Sequence, residues 1–145
     1  MALSLQVQLP NELKDDFLTF KNNSTGEGHL TFSFADKDCS RYQTEELVLD
    51  DKQSWDDYVN ALDLTKCKII FKHCKFVNSG GERSKLLAIS FNPESANRKE
   101  KMASSTASII FFSNFEGVMK KITTSQKSEI ILSELQSICM AQFKT

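Results

Sequence analysis

Hydrophobic residues along the chain recur first at helical spacing and then at strand spacing. From Leu9 to Phe20 they return every three or four positions, which predicts a helix with Pro10 tolerated in its first turn. Residues 29–34 alternate between apolar and polar, and residues 42–49 follow after a short turn, so the two segments predict an antiparallel strand pair. The chain therefore opens with one helix and two strands.

A second helix is predicted at Ser54, whose hydroxyl can accept a hydrogen bond from the exposed amide of Asp57. The carboxylates of Asp56 and Asp57 favour the positive end of the helix dipole at that position. Four apolar residues then follow at helical spacing: Trp55, Tyr58, Val59 and Leu62. This pattern predicts a short amphipathic helix that begins directly after Ser54.

The rest of the chain predicts a hairpin, a long helix, a short strand and a closing helix. These elements fall at residues 66–77 and 86–91, 102–115, 118–123 and 128–143, with a glycine-rich hairpin turn at residues 78–82. The order of elements predicts an α/β fold in which a mixed sheet is covered by helices on both faces. We expect residues 1–145 to form a single domain.

Composition narrows the class of protein. The chain has 145 residues, and a domain of this size supports its own core without disulfides or metals, so Cys39, Cys67, Cys74 and Cys139 are interpreted as reduced, structural residues. The first residues carry no positive segment and reach Pro10 too soon for a signal peptide or a membrane span, which predicts an intracellular protein. The net charge of -1 argues against a general nucleic-acid binder.

Charge is distributed unevenly behind this near-neutral total. Residues 36–63 hold nine acidic and three basic side chains, whereas residues 66–85 hold six basic and one acidic. The lysines of the long predicted strand are interpreted as solvating an exposed sheet face or edge. Arg83 and Lys85 are expected to project outward beside the hairpin turn. On composition alone, a second basic cluster at residues 98–102 is a solvated connector.

Candidate catalytic residues are few. His29 and His73 both lie in predicted strands without a neighbouring nucleophile or metal-ligand pair, so each is interpreted as a hydrogen-bonded strand histidine. The Gly80-Gly81 pair lacks the lysine and the strand-loop-helix setting of a phosphate-binding loop. The sequence thus predicts no enzyme, cofactor or metal site. The alternative of an enzyme requires a deep pocket that joins a histidine to Asp56 or Asp57.

Several segments, taken in order, resemble the actin-depolymerising factor/cofilin family over nearly the whole chain. Ser54-Trp55-Asp56-Asp57-Tyr58 is similar to the family's Thr/Ser-Tyr-Glu-Asp-Phe helix start, and Cys67-Lys68-Ile69-Ile70-Phe71 is similar to its Cys-Arg-Tyr-Ala strand. Gly80-Gly81-Glu82-Arg83-Ser84-Lys85-Leu86 matches the hairpin pattern Gly-Gly-x-Arg-x-Lys. The order and spacing of these segments are more specific than any single motif.

The second half of the chain carries the same resemblance. Ile89-Ser90-Phe91-Asn92-Pro93-Glu94-Ser95-Ala96 follows the pattern Ile-Ser-Trp-x-Pro-Asp-x-Ala, and Lys99-Glu100-Lys101-Met102 fits basic-x-Lys-Met. Ser128-Glu129 matches the Ser-Glu pair before the last helix. The resemblance implies a five-stranded mixed sheet sandwiched between helices. It also implies a cytoplasmic protein of the cytoskeleton that binds actin without catalysis.

By position, the resemblance implies two binding surfaces. The first would contact the actin monomer through the amino-terminal segment, the basic pair and the long helix: Leu3, Ser4, Leu5, Gln6, Lys99, Lys101, Met102, Ser105, Ile109, Phe112 and Asn114. The second would contact the side of the filament through Arg83, Lys85 and charged residues of the last helix. Phosphoinositides are candidate competitors for the basic clusters, and the protein is expected to be a monomer.

The long helix departs from the family's Lys-Asp-Ala-Ile-Lys-Lys-Lys-Leu pattern, because this chain has Ser108, Phe112, Ser113 and Asn114 in place of the lysines. Ile110, Phe111 and Phe115 occupy the normally buried positions, so the core is expected to survive. Ile109 and Phe112 fall where the family presents charge, and we expect at least one of them to be an exposed apolar contact. The alternative is a helix that has rotated or that buries both side chains.

The last helix lacks the family's basic pair, since its only charges are Glu129 and Glu134. Loss of cations that approach acidic actin weakens salt-sensitive affinity, so we expect monomer binding and turnover to be stronger than filament binding or severing. Ser4 lies one position from the family's inhibitory serine, where this chain has Leu5, and phosphorylation of Ser4 would weaken binding. The alternative is a protein like glia maturation factor, which uses this fold on actin-related proteins at filament branches.

Overall fold

Alternate side chains of the inner strands point into two separate hydrophobic cores, one on each face of a sheet. The computed structural model describes residues 9–142. Along the chain, the helices and strands are α1 (Asn11–Lys21), β1 (His29–Phe34), β2 (Tyr42–Val48), α2 (Trp55–Asn60), β3 (Lys68–Asn78), β4 (Gly81–Phe91), α3 (Arg98–Asn114), β5 (Lys120–Thr124) and α4 (Leu132–Gln142). A 3-10 helix at Lys127–Glu129 precedes α4.

The strand order in the sheet is β2-β1-β3-β4-β5. Pairing is antiparallel throughout except between β4 and β5, which are parallel. A parallel pair needs a crossover connection, and α3 provides it. This mixed sheet, with helices on both faces, confirms the predicted fold class. None of the helices in the described part of the chain is long and apolar enough to span a membrane.

The core between the sheet and the α1/α3 pair is mainly aromatic. Phe17 of α1 stacks on Phe115, which directly follows α3, with ring centroids 4.7 Å apart. Phe111 of α3 stacks on Phe32 of β1 at 5.1 Å, and Phe71 of β3 meets Phe17 edge-on at 4.9 Å. Because the rings of Phe111 and Phe115 are both buried here, they fix the rotation of α3 about its own axis.

The second core lies on the opposite face of the sheet, under α2 and α4. Ser54 caps α2 as predicted. Trp55 Nε1 donates a hydrogen bond to Ile130 O at 2.7 Å, and Asp56 Oδ1 accepts one from Leu132 N at 2.8 Å. The start of α2 therefore holds the segment in which α4 begins.

Three elements begin four or more residues away from their predicted first residue. The long helix begins at Arg98 because Asn97 caps it, so the second basic cluster is helical rather than a connector. Strand β4 begins at Gly81, directly after the turn. The closing helix predicted from residue 128 is a separate 3-10 helix there, and α4 begins at Leu132. Its predicted last residue, Phe143, lies outside the described residues.

The interpretation of the strand lysines as solvated is wrong for two of them. Strand β3 is the central strand of the sheet, and Lys68 and Lys72 are only 9% and 3% exposed. Lys72 Nζ lies 3.1 Å from Asp51 Oδ1, and Lys68 forms an ion pair with Glu45. A buried cation needs such a partner, because burial removes its hydration. The acidic segment of residues 36–63 therefore neutralises part of the positive charge of residues 66–85.

Both histidines have the structural role that the sequence predicted. His29 Nε2 lies 2.6 Å from Glu46 Oε1, and His73 Nε2 lies 2.8 Å from Phe20 O. The four cysteines are buried, free thiols. Burial raises the pKa of the Cys67 thiol to about 12, which keeps this cysteine protonated and unreactive at neutral pH.

Because both histidines are buried, we expect the protein to lose stability as the pH falls from 7.5 to 5.5. Burial lowers the pKa of His29 and of His73 below the ordinary value of 6.5. The unfolded chain therefore binds protons at a higher pH than the folded chain, so the free energy of unfolding decreases as the pH falls below 6.5. Urea unfolding across this range measures the effect.

The variant His73→Gln serves as the control, because glutamine can still donate a hydrogen bond to Phe20 O but does not titrate. Its free energy of unfolding should depend less on pH than that of the wild type. A wild-type stability that is constant or rises between pH 7.5 and 5.5 would contradict the prediction.

Candidate functional site

The first turn of α3 carries three basic residues at the end of the helix where cations are unfavourable. Arg98, Lys99 and Lys101 lie next to the helix N-terminus, whose dipole repels positive charge. Asn97 Oδ1 accepts a hydrogen bond from Glu100 N at 2.7 Å and caps the turn. A cluster of cations kept at an unfavourable place, with a strong cap, is typical of a binding surface rather than of a feature that stabilises the fold.

Of the predicted basic pair, Lys99 is exposed and Lys101 is half-buried, and the ammonium group of each makes only a solvent-exposed contact. The Lys99 side chain is 57% exposed, and its Nζ lies 3.7 Å from the still more exposed carboxylate of Asp38. Lys101 Nζ donates to Glu94 O at 3.1 Å. Exposed contacts of this kind contribute little to stability. Both cations are therefore available to a partner.

The exposed face of α3 continues from the basic turn as an apolar strip. Met102, Ser105 and Ile109 follow at spacings of three and four, which places them on one side of a helix. Met102 is 57% exposed and Ile109 is 67% exposed. Asn114, at the end of the helix, is also exposed. The expectation that at least one of Ile109 and Phe112 is exposed is confirmed by Ile109.

Phe112 differs from Ile109. Its ring packs partly against the α1/α3 core, and Lys121 Nζ lies 5.6 Å from the ring centroid. Phe111 and Phe115 are buried, so the helix has not rotated. The expectation of burial is wrong for Ile110, which is half-buried because it faces the gap between α1 and α3 rather than the sheet.

A groove of about 330 Å³ runs between α1 and α3. Leu9 and Pro10 line it on one side, and Ile110 and Asn114 line it on the other. The predicted contacts Leu3, Ser4, Leu5 and Gln6 lie outside the described residues. The described chain thus begins directly beside the exposed part of α3.

The hairpin bases lie on the other face of the sheet from α3. Arg83 pairs across the hairpin with Phe76, and Lys85 pairs with Cys74. Phe76 and Cys74 belong to the α2/α4 core, and directly opposed residues of a strand pair share a face. Arg83 is exposed and Lys85 is half-buried. The structure therefore separates the two predicted surfaces instead of joining them.

Two exposed apolar residues near the hairpin were not found from the sequence. Val77, at the end of β3, is 65% exposed, and Met140 of α4 is 50% exposed. Both line a groove of about 390 Å³ between the hairpin and α4. Glu134 is the only charged residue between Leu132 and Gln142, so α4 offers no cation beside this groove. In the sequence, the one sign of this exposed pair is the position of Val77 next to the hairpin turn.

A polar cavity of about 670 Å³ lies between the ends of β1 and β3 and the start of α3. Its lining includes Lys37, Lys66 and Glu100 but neither histidine and neither Asp56 nor Asp57. The pocket required for the enzyme alternative is therefore not this one. Among residues 9–142 there is no group of three side chains that could hold a metal ion.

The sheet topology and the helices on each face are those of an actin-depolymerising-factor homology domain, the fold that this chain shares with solved cofilin structures. The chain belongs to the family of cofilin/tropomyosin-type actin-binding proteins, whose sequence pattern it matches over residues 6–139.

Individual proteins agree with this assignment. Actin-depolymerizing factor 3 of Zea mays is 28% identical over 112 residues, which cover 74% of this chain and 76% of that protein. Cofilin of Streptomyces griseoflavus superposes with a TM-score of 0.77 at 20% identity, covering 90% of this chain and 95% of the other. Human coactosin-like protein gives a TM-score of 0.78 at 12% identity, with coverages of 93% and 98%. These two structures show the shared fold.

Proposed function

We propose that this protein binds actin monomers through α3 and promotes filament turnover, as a binding protein without catalysis. The observation that carries the proposal is the exposed side of α3, where Lys99 and Lys101 are followed by Met102 and Ile109. Cations steer the approach to an acidic partner, and desolvated apolar residues supply affinity once contact is made. Membership of an actin-binding family supports actin as the partner.

Filament binding is proposed to be the weaker activity. A filament-side surface on the hairpin would rely on Arg83 and Lys85 as its cations. Between Leu132 and Gln142, α4 adds no cation and presents Met140 instead. Electrostatic attraction to an acidic filament side is therefore reduced on this face. The monomer surface on α3 lies across the sheet and is unaffected by this loss.

Membership of an actin-binding family supports a place in the cytoskeleton, and the α3 surface suggests what competes with actin. We expect a monomeric protein of the cytoplasm and cytoskeleton. Phosphoinositide head groups, which are strongly anionic, would compete for Lys99 and Lys101 because both cations are accessible. Phosphorylation of Ser4 stays a prediction of weaker actin binding.

Co-sedimentation with actin filaments, run beside a monomer-binding assay, tests the proposal. We expect clear monomer binding together with weak pelleting and slow severing. The variant Ser137→Lys/Ala141→Lys adds two cations to exposed positions one helical turn apart on α4. It should increase filament pelleting while leaving monomer affinity unchanged.

Three results would contradict the proposal. Stoichiometric pelleting and fast severing by the wild type would show that the filament surface is intact. Equal pelleting by the α4 variant would show that the missing cations do not limit filament binding. Binding to the branch-nucleating complex in place of actin would favour a function like that of glia maturation factor.

A further inference from the structure

Glu100 lies between Lys99 and Lys101 in sequence, but the fold turns it in the opposite direction. Glu100 is 5% exposed, whereas the Lys99 side chain is 57% exposed. Its carboxylate accepts a hydrogen bond from the backbone N–H of Cys67, the residue directly before β3. The acid is therefore turned away from the two lysines, toward the polar cavity at the start of β3, and the exposed side chains of the first turn are cations only.

We propose that Glu100 is a positioning residue that fixes the first turn of α3 to the start of β3 and thereby orients Lys99 and Lys101 toward the partner. This inference rests on the proposed function of the α3 surface. Two contacts attach Glu100, since its backbone N–H donates to Asn97 Oδ1 at 2.7 Å and its side chain accepts from Cys67 N. Together they link the loop before α3, the helix and the sheet.

The first turn of a helix is its least stable part, because its N–H groups have no partners within the helix. Three neighbouring cations add repulsion to the positive end of the dipole, and a carboxylate in the same turn offsets it. Glu100 provides that carboxylate. A charge-assisted hydrogen bond to a buried amide also compensates for removing the carboxylate from water.

The other contacts of the turn cannot replace Glu100. Lys99 meets Asp38 at 3.7 Å on the surface, and Lys101 reaches the backbone of Glu94 at 3.1 Å. Both contacts are solvent-exposed, so they hold the turn weakly. Without Glu100, the amide of Cys67 would lose its buried acceptor, and the turn would be free to shift away from β3.

The test compares Glu100→Met with Glu100→Gln. Methionine is a good helix former of similar length but cannot accept the hydrogen bond from Cys67 N, whereas glutamine keeps an acceptor oxygen. We expect Glu100→Met to weaken binding to actin monomers about tenfold, which corresponds to about 1.4 kcal/mol. Glu100→Gln should restore most of the affinity.

The salt dependence of monomer affinity distinguishes a positioning role of Glu100 from a general loss of stability. If the basic pair is misplaced in Glu100→Met, affinity should depend less steeply on ionic strength than in the wild type. Thr31→Val is the matched control, because Thr31 is 0% exposed and its hydroxyl is hydrogen-bonded to the hydroxyl of Tyr58 in α2, on the face of the sheet opposite α3. It should reduce stability while leaving the salt dependence of binding unchanged.

Each outcome decides the question. An unchanged affinity and salt dependence in Glu100→Met would overturn the inference, as would equal losses in Glu100→Met and Glu100→Gln. If Glu100→Met does not fold, Glu100→Ala is measured in the same way. If charge reversal at Lys99 and Lys101 leaves monomer binding intact, the proposed function itself fails, and the inference fails with it.

Discussion

Reversing the charge of Lys99 and Lys101 together, in the variant Lys99→Glu/Lys101→Glu, should lower the affinity for actin monomers by at least about 100-fold. The expected effect is large because two attractive contacts become repulsive at the centre of the proposed surface. Lys99 is exposed, Lys101 is half-buried, and the ammonium group of each makes only a solvent-exposed contact, so the fold should not change. A monomer-binding titration, with circular dichroism to verify folding, measures the result.

The control for this prediction is Lys52→Glu/Lys127→Glu, which changes the net charge equally. Both lysines lie beside α2, on the face of the sheet opposite α3, and Lys127 Nζ donates to Asn60 O. This variant should bind monomers within about threefold of the wild type, as expected for distant charges in physiological salt. Equal losses in the two variants would mean that net charge, rather than the α3 surface, determines affinity.

Truncating Phe111 should cause the largest loss of stability that one substitution in α3 can produce. Phe111 is 0% exposed, and its ring lies 5.1 Å from that of Phe32 and 4.9 Å from that of Tyr42. Phe111→Ala therefore leaves a cavity among aromatic rings that cannot easily close, and we expect the free energy of unfolding to fall by about 3–5 kcal/mol. Urea unfolding at neutral pH gives the value.

Phe112→Ala is the matched control for Phe111→Ala, since it removes the same side chain from the next position of the helix. Phe112 is only half-buried, so its truncation should cost at most about 1.5 kcal/mol. Similar losses in the two variants would show that α3 is rotated from the orientation described above.

The fold could be predicted from the sequence because most of its elements have clear periodicity. Leu13, Phe17 and Phe20 repeat at helical spacing and are all buried on one side of α1. The spatial order of the strands could not be predicted, because no local pattern indicates that β3 is the central strand. The burial of Lys68 and Lys72 could not be predicted either, because their acidic partners lie more than twenty residues away in the chain.

The candidate site could be predicted only in part. The exposure of Ile109 could be expected because the family has a charged residue at this position. Helical spacing also determines the side of the helix on which Ile109 lies. The partial burial of Ile110 depends on how far α1 lies from α3, which no local pattern indicates. Glu100 points inward because its carboxylate binds the backbone N–H of Cys67, more than thirty residues earlier in the chain. The sequence alone therefore does not indicate that this acidic side chain is turned away from the neighbouring basic ones.

The parallel pairing of β4 with β5 affects when the binding surface can form. Residues 92–119 must close as a loop before these two strands can pair, and this loop contains all of α3. Closure of a long loop delays non-local pairing during folding. Docking of α3 against the sheet is therefore expected to be among the last steps of folding. In a partly folded chain, Lys99 and Lys101 would not yet be held in the orientation that the sheet gives them, so the ability to bind a partner would itself report that this docking is complete.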